Sequence, residues 1–277
     1  MRILRFLFII LVATSVLSSC SKYAKLEKVT DSEVLLEAAN EYYENEEYRK
    51  AAELYERILP AIGGSSQAED VSFKVGMANY LVGNYLLADY YFRRFHENYG
   101  RSPRAEEAFY LQAYSLYKEA PISSLDATNT REAIATMQNF LNRFPSTEKK
   151  EEATKIIDEL QVRLETKAYD IAKLYWDLSE GLFAQSYLEA SLVTFENFER
   201  DFPDSDYREE LGYLKVEAQF RIAQNSIESK KEERLYKTIG YYEDFLNYYP
   251  GSKYSAQAQK VYEQCLTELS KISKSNT

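Results

Sequence analysis

The sequence predicts an all-α fold, a solenoid of about five helix pairs closed by a C-terminal capping helix. Three observations carry that expectation. Nine Gly and six Pro in 277 residues leave little turn material for a many-stranded sheet. Apolar residues recur at three- and four-residue steps through sequence rich in Ala, Leu, Glu and Lys, which is the period of an amphipathic helix. One pattern also occurs five times: a small residue, a large apolar one four later, an aromatic or Ile three later, and a Gly or Pro five later. It runs Ala51, Tyr55, Ile58, Gly63, then Ala88, Phe92, Phe95, Gly100, then Ala133, Met137, Phe140, Pro145. It returns as Ser191, Phe195, Phe198, Pro203 and as Thr238, Tyr242, Phe245, Pro250.

The 4-3 spacing stacks the three side chains on one helical face, and the small member lets a neighbouring helix approach. The Gly or Pro ends the helix. In the last four copies a Ser or Thr (Ser102, Thr147, Ser205, Ser252) follows two residues later and is placed to cap the next helix. In chain order, the first repeat opens with a helix carrying Leu35, Ala39 and Tyr42. The third is interrupted by a polar, turn-rich segment at residues 121–130, expected as a loop. A helix beginning near Thr147 stays periodic towards Ser179, some 50 Å at about 1.5 Å per residue. Residues 225–233, rich in Ser, Lys and Glu, read as an insertion, and residues 253–272 as the capping helix.

The repeated helix resembles the second helix of the tetratricopeptide repeat, with Ala, Tyr/Phe and Pro in that motif's order. The small residues are 37, 45, 58 and 47 apart, longer than the roughly 34 of the family norm, so the array is irregular. The expected layout is a signal peptide at 1–19, a lipidated tether at 20–32, repeats one to three at 33–145, and repeats four and five with the capping helix at 146–277.

The signal expectation rests on Cys20. Arg2 and Arg5 precede an apolar run at residues 6–17, and Leu17-Ser18-Ser19-Cys20 follows. A run that short falls below the roughly 20 residues of a membrane-spanning helix. Positive residues, a short apolar stretch, small residues and then Cys resemble the bacterial lipoprotein signal. The resemblance implies cleavage before Cys20 and acylation of its thiol and amine, and several chains on one residue anchor stably. No acidic run follows Cys20, so a periplasm-facing protein is expected.

Residues 20–277 keep 32 basic residues against 44 acidic ones, a formal charge of −12. That disfavours nucleic acid as a partner, which needs a basic surface. It equally disfavours electrostatic adhesion to anionic lipid, leaving the acyl chains as the membrane device. With Cys20 acylated, Cys265 has no disulfide partner, and its apolar position between Val261 and Leu269 reads as a buried structural thiol.

No catalytic chemistry is expected. The single histidine, His96, follows a core aromatic and should face outward at a helix end, with no metal-ligand set around it. Gly-rich phosphate loops and a G-x-S-x-G elbow are absent from the sequence. The acidic stretches at 44–47 and 148–152 read as solvated helix ends, and Trp176 as core. No metal is expected, and no cofactor beyond the acyl chains on Cys20.

The 25 Tyr fall into two classes. Tyr55 and Tyr242 are core by position. Asn40, Tyr43, Phe73, Met77, Tyr80, Tyr110 and Tyr114 lie on first helices of repeats, on the face that lines a tetratricopeptide groove. Aromatic rings with a polar handle suit peptide capture. The same residues could equally be packing between neighbouring repeats, and position alone does not separate the two.

A lipobox, a short tether and five irregular repeats, with the turns at 143–147, 201–205 and 248–252 and the segment at 223–231, together resemble the BamD family of lipoproteins of the outer-membrane β-barrel assembly machinery. The resemblance covers essentially all of the chain after Cys20. It implies an outer-membrane protein on the periplasmic face that docks to POTRA domains of the barrel-forming subunit and binds unfolded barrel precursors. A repeat-built lipoprotein pilotin, a general periplasmic scaffold or a glycan-binding lipoprotein are the other classes that such an architecture admits.

Overall fold

The structure, a computed structural model, describes residues 23–181 and 183–275, and everything described is helix or connecting turn. Cys20 and the signal segment lie outside the described residues. A helical turn, α1, occupies residues 23–26. Then come α2 (Ser32–Glu44), α3 (Tyr48–Ile58), α4 (Ala68–Leu81), α5 (Tyr85–Asn98), α6 (Ala105–Glu119) and α7 (Thr128–Arg143). A long α8 (Lys150–Leu178) is followed by α9 (Ala184–Asp201), α10 (Tyr207–Gln224), α11 (Glu228–Tyr248) and α12 (Ser255–Ser275). The chain divides into two compact units, with the boundary between Leu160 and Gln161 inside α8.

In the first unit each helix from α2 to α7 packs on the next in sequence, the antiparallel pairing that short connections favour. In the second, α9, α10, α11 and α12 pack in the same serial way, and α12 also reaches back to α10. The repeated pattern fills these interfaces. All fifteen residues of its small, large and aromatic positions are buried, and the most exposed, Tyr242, shows 7%. Where the small position is polar, the helix backbone satisfies the hydroxyl: Ser191 Oγ donates to Leu188 O at 2.8 Å and Thr238 Oγ1 to Arg234 O at 2.9 Å. Such back-bonding makes a buried hydroxyl tolerable. Gly76 shows how closely α4 and α5 approach. A Cβ there would lie 2.9 Å from two ring carbons of Phe92, a contact only glycine avoids.

The last four pattern copies end in one repeated turn. The aromatic carbonyl accepts from the amide four residues on: Phe95 from Tyr99, Phe140 from Phe144, Phe198 from Phe202 and Phe245 from Tyr249, at 2.7–2.9 Å. The hydroxyls of Ser102, Thr147, Ser205 and Ser252 then accept from the amides of Arg104, Lys149, Tyr207 and Tyr254 at 3.0–3.2 Å. Amides left unpaired at each helix start thereby gain acceptors.

Two expectations need correction, and one insertion takes a definite form. The segment at 121–130 is shorter as a loop than expected, because Asp126 Oδ1 accepts from the Thr128 amide at 2.9 Å and starts α7 there, leaving Thr130 buried. The insertion at 225–233 takes the form of a short connection and the start of a helix. Only residues 225–227 connect, and α11 begins at Glu228, its polar opening held where Arg234 Nη1 donates to Ser226 Oγ and Lys231 pairs with Glu268 of α12 at 2.9 Å. His96 does not face outward. It is 6% exposed, stacked on Phe109 of α6 at 4.1 Å between ring centroids, because α6 covers the side of α5 that a helix end would normally leave open. Trp176 packs half-buried at the edge of the second unit's core, with the Arg221 guanidinium 4.5 Å from its ring centroid. Cys265 is fully buried, and burial pushes its thiol up to about 11, which keeps it protonated and unreactive.

Candidate peptide-binding face

The seven candidate side chains all belong to the first unit, on α2, α4 and α6. Asn40 and Tyr43 sit one turn apart on α2. Asn40 Oδ1 accepts from the Tyr55 hydroxyl at 2.8 Å and from Lys74 Nζ at 3.0 Å. Tyr43 contacts the rings of Tyr48 (5.3 Å) and Tyr55 (6.2 Å), with Lys74 Nζ 5.9 Å from its centroid. Lys74 also pairs with Asp70 at 2.9 Å, and Asp70 pairs with Arg104 at the same distance. Burial would raise the Asp70 carboxyl, but the two cations bonded to it hold it below its ordinary value.

Along α4, Lys74, Met77 and Tyr80 follow at three-residue steps and share a face. Tyr80 meets Tyr85 at 5.7 Å and Tyr114 at 6.2 Å, both edge-on. On α6, Tyr114 lies 5.8 Å from Tyr110 and 5.5 Å from Tyr117, whose hydroxyl bonds Glu159 at 3.0 Å. Lys118 Nζ stands about equally far from Tyr85 and Tyr114, at 6.0 and 5.9 Å, and Lys149 lies 5.1 Å from the Tyr110 centroid. The result is a run of edge-to-face tyrosines flanked by lysines.

Two of the seven do not present a free ring. Phe73 is buried against Phe92 (5.8 Å) and Phe95 (5.3 Å), with the Arg104 guanidinium 5.1 Å from its centroid. Tyr110 is buried against Phe140 at 5.5 Å, and burial, reinforced by the nearby Glu152 carboxylate, raises its phenol pKa. Asn40, Tyr43, Met77, Tyr80 and Tyr114 are half-buried, each with part of its surface open. Burial raises the phenol pKa of Tyr43 and Tyr80 as well, so both remain protonated hydrogen-bond donors at neutral pH.

Sequence reasoning passed over Lys74, Tyr85, Tyr117, Lys118 and Lys149. Tyr117 and Lys118 were legible in principle, since Tyr110, Tyr114 and Tyr117 follow the i, i+4, i+7 rule and Lys118 is one turn beyond Tyr114. Tyr85 and Lys149 were not, because each comes from a helix start or a turn and reaches the face only through packing between helices.

Residues 28–180, more than half of the chain and all of the face just described, match the family model named YfiO, described as an outer membrane lipoprotein. The chain belongs to that family. Among the relatives of this YfiO-family chain is the outer membrane protein assembly factor BamD of Caulobacter vibrioides (strain ATCC 19089 / CIP 103742 / CB 15), which is 25% identical over 210 residues, 75% of this chain and 68% of that protein. Among the described residues no helix is long and apolar enough to cross a membrane.

Proposed function

We propose that this YfiO-family chain is an outer-membrane lipoprotein, acylated at Cys20 and facing the periplasm, that takes part in β-barrel assembly. In this reading the first unit receives unfolded barrel precursors on its tyrosine face. The C-terminal repeats dock to the periplasmic POTRA domains of the barrel-forming subunit, so that precursors are handed on for insertion. The name of the Caulobacter relative supports the assembly role.

The observation that carries the client site is the spacing of the rings. Side chains on one face of an extended strand recur about every 6.6–6.8 Å. The half-buried tyrosines are separated by similar steps: Tyr80 to Tyr114 at 6.2 Å and Tyr114 to Tyr117 at 5.5 Å. A strand with aromatic residues at alternate positions can therefore lay successive rings against successive tyrosines, while its backbone bonds to tyrosine hydroxyls or to Asn40. Lys118 and Lys149 add cation–π contacts, each worth about 0.5–1 kcal/mol at an exposed site.

A Tyr43→Ala/Tyr80→Ala double variant tests the site. Each lost aromatic pair is worth about 0.5–1.5 kcal/mol, so affinity for a C-terminal barrel peptide should fall roughly tenfold, measured by fluorescence anisotropy, with the melting temperature largely kept. Unchanged peptide affinity, or collapse of the fold, would return both residues to the core and remove the client site from this face.

A further inference from the structure

The first described residues are not a loose tether. Tyr23 stacks edge-on against Tyr42 of α2 at 5.7 Å, and its hydroxyl donates to the Glu53 carboxylate of α3. Lys50 Nζ lies 5.0 Å from the Tyr42 centroid and 5.9 Å from that of Tyr23. Leu26 and Val29 pack on the core of the first repeat. Arg57 then clasps the segment from α3, donating to the carbonyls of Leu26 (3.2 Å), Glu27 (3.4 Å) and Val29 (2.9 Å). Leu26 O also accepts from the Val29 amide at 3.1 Å, and the one guanidinium, with five N–H donors, joins the end of the turn to the residues that follow it.

Cys20 lies three residues before Tyr23. Three residues of fully extended chain span roughly 10 Å. An acyl group on Cys20 is therefore leashed within that distance of a side chain fixed to α2 and α3. A leash this short ties the position of the first repeat to the bilayer surface. The segment is also locally basic in an acidic chain. Lys22, Lys25 and Lys28 follow at three-residue steps with only Glu27 among them, and Lys25 and Lys28 are exposed. Basic side chains held within a Debye length of an anionic leaflet are attracted to it.

We infer that residues 23–29 form a docked strap that holds the outer side of the first repeat against the lipid headgroups of the leaflet carrying the Cys20 acyl chains, with Lys25 and Lys28 towards the headgroup phosphates. The inference rests on the acylation of Cys20 proposed above. It assigns the strap a positioning role: the first repeat has a fixed standing distance from the membrane instead of swinging on a flexible linker.

The test uses the full lipidated chain, its acyl mass confirmed, in vesicles of phosphatidylethanolamine and phosphatidylglycerol that contain a dansyl-headgroup lipid. Trp176→Phe removes the single native tryptophan and Arg49→Trp places one at an exposed position of α3, one turn from Glu53. Energy transfer from that tryptophan to the headgroups should be strong. A twelve-residue Gly-Ser insert between Lys22 and Tyr23, with a root-mean-square span of about 20 Å, should roughly halve it or reduce it further. Tyr23→Ala/Arg57→Ala should lower transfer in the same direction without an insert. Lys25→Ser/Lys28→Ser should lower it on phosphatidylglycerol vesicles and leave it unchanged on phosphatidylcholine ones. Transfer that is the same with and without the insert overturns the strap, and a lysine variant indistinguishable from wild type on both vesicles overturns the headgroup contact. If the purified chain carries no acyl mass, the lipoprotein reading fails by itself. The strap is then tested on chain whose Cys20 thiol is coupled to a maleimide lipid, a selective reaction because Cys265 is buried.

Discussion

Phe140 and Phe198 occupy the same slot of the repeat in different units, and both are almost wholly buried. Truncating either to Ala removes a ring and leaves a cavity, which should cost about 3–5 kcal/mol. Equal melting temperatures for wild type and Phe198→Ala would show that the register of the repeat is misassigned. His96 makes a different prediction. Gln112 Nε2 donates to Asp89 at 3.0 Å, so its carbonyl oxygen is the atom 2.7 Å from His96 Nε2. Nε2 therefore carries the proton in the neutral ring, and Nδ1 is buried without a partner. Burial, with Arg143 and Arg93 nearby, holds the His96 pKa below its ordinary value, against the opposing pull of Gln112 and Glu97. The unfolded chain takes up this proton near about pH 6.5. Above that pH the ring is neutral in both states and its contribution is complete. As pH falls below it, the unfolded state binds the proton first and stability drops until the folded pKa is passed. Wild type should thus lose more melting temperature than His96→Gln between about pH 7.5 and 5, and parallel pH profiles would contradict this. The burial of His96 was not legible because a residue next to a core position on a helix normally turns about 100° away from it. Only the packing of α6 on that flank, visible in three dimensions, puts Phe109 over the ring.

At the scale of the elements, the repeat was legible because periodicity and punctuation agreed. The 4-3 spacing marked the buried face of α3, α5, α7, α9 and α11, and the Gly or Pro with its following Ser or Thr marked the turns. Those hydroxyls carry a measurable share of each turn. Ser205→Ala, which removes the acceptor of the Tyr207 amide, should cost about 0.5–2 kcal/mol in chemical denaturation, and a midpoint shifted by nothing would show that water replaces the cap at no cost. Where periodicity was missing, the sequence said less. About the first two turns of α11 have no buried residue before Leu235, so they carry no apolar stripe to read. That opening is also bonded to a residue far along the chain, Lys231 to Glu268. The client face was only partly legible for the same reason. Asn40, Tyr43, Met77, Tyr80 and Tyr114 could be placed on first helices by spacing, but whether a ring faces the core or the open face is decided by the next helix. Phe73 and Tyr110 went to the core on that account.

For the whole molecule, the two units each have their own serially packed core, and the family match, residues 28–180, covers all of α2 to α8 and ends just past α8. The candidate client face lies wholly within that matched span, whereas the helices proposed to hold the assembly partner, α9 to α12, lie beyond it. The proposal that one chain joins a membrane anchor, a client face and a docking surface can therefore be tested at the docking end, which the match does not reach. The most direct measurement is affinity purification of the chain from detergent-solubilised outer membrane, with the co-purifying proteins identified by mass spectrometry. The account predicts the barrel-forming assembly subunit as the main partner, lost when α9 to α12 are surface-mutated and retained by Tyr43→Ala/Tyr80→Ala. Recovery of a secretin or of a large β-barrel transporter in its place would contradict it.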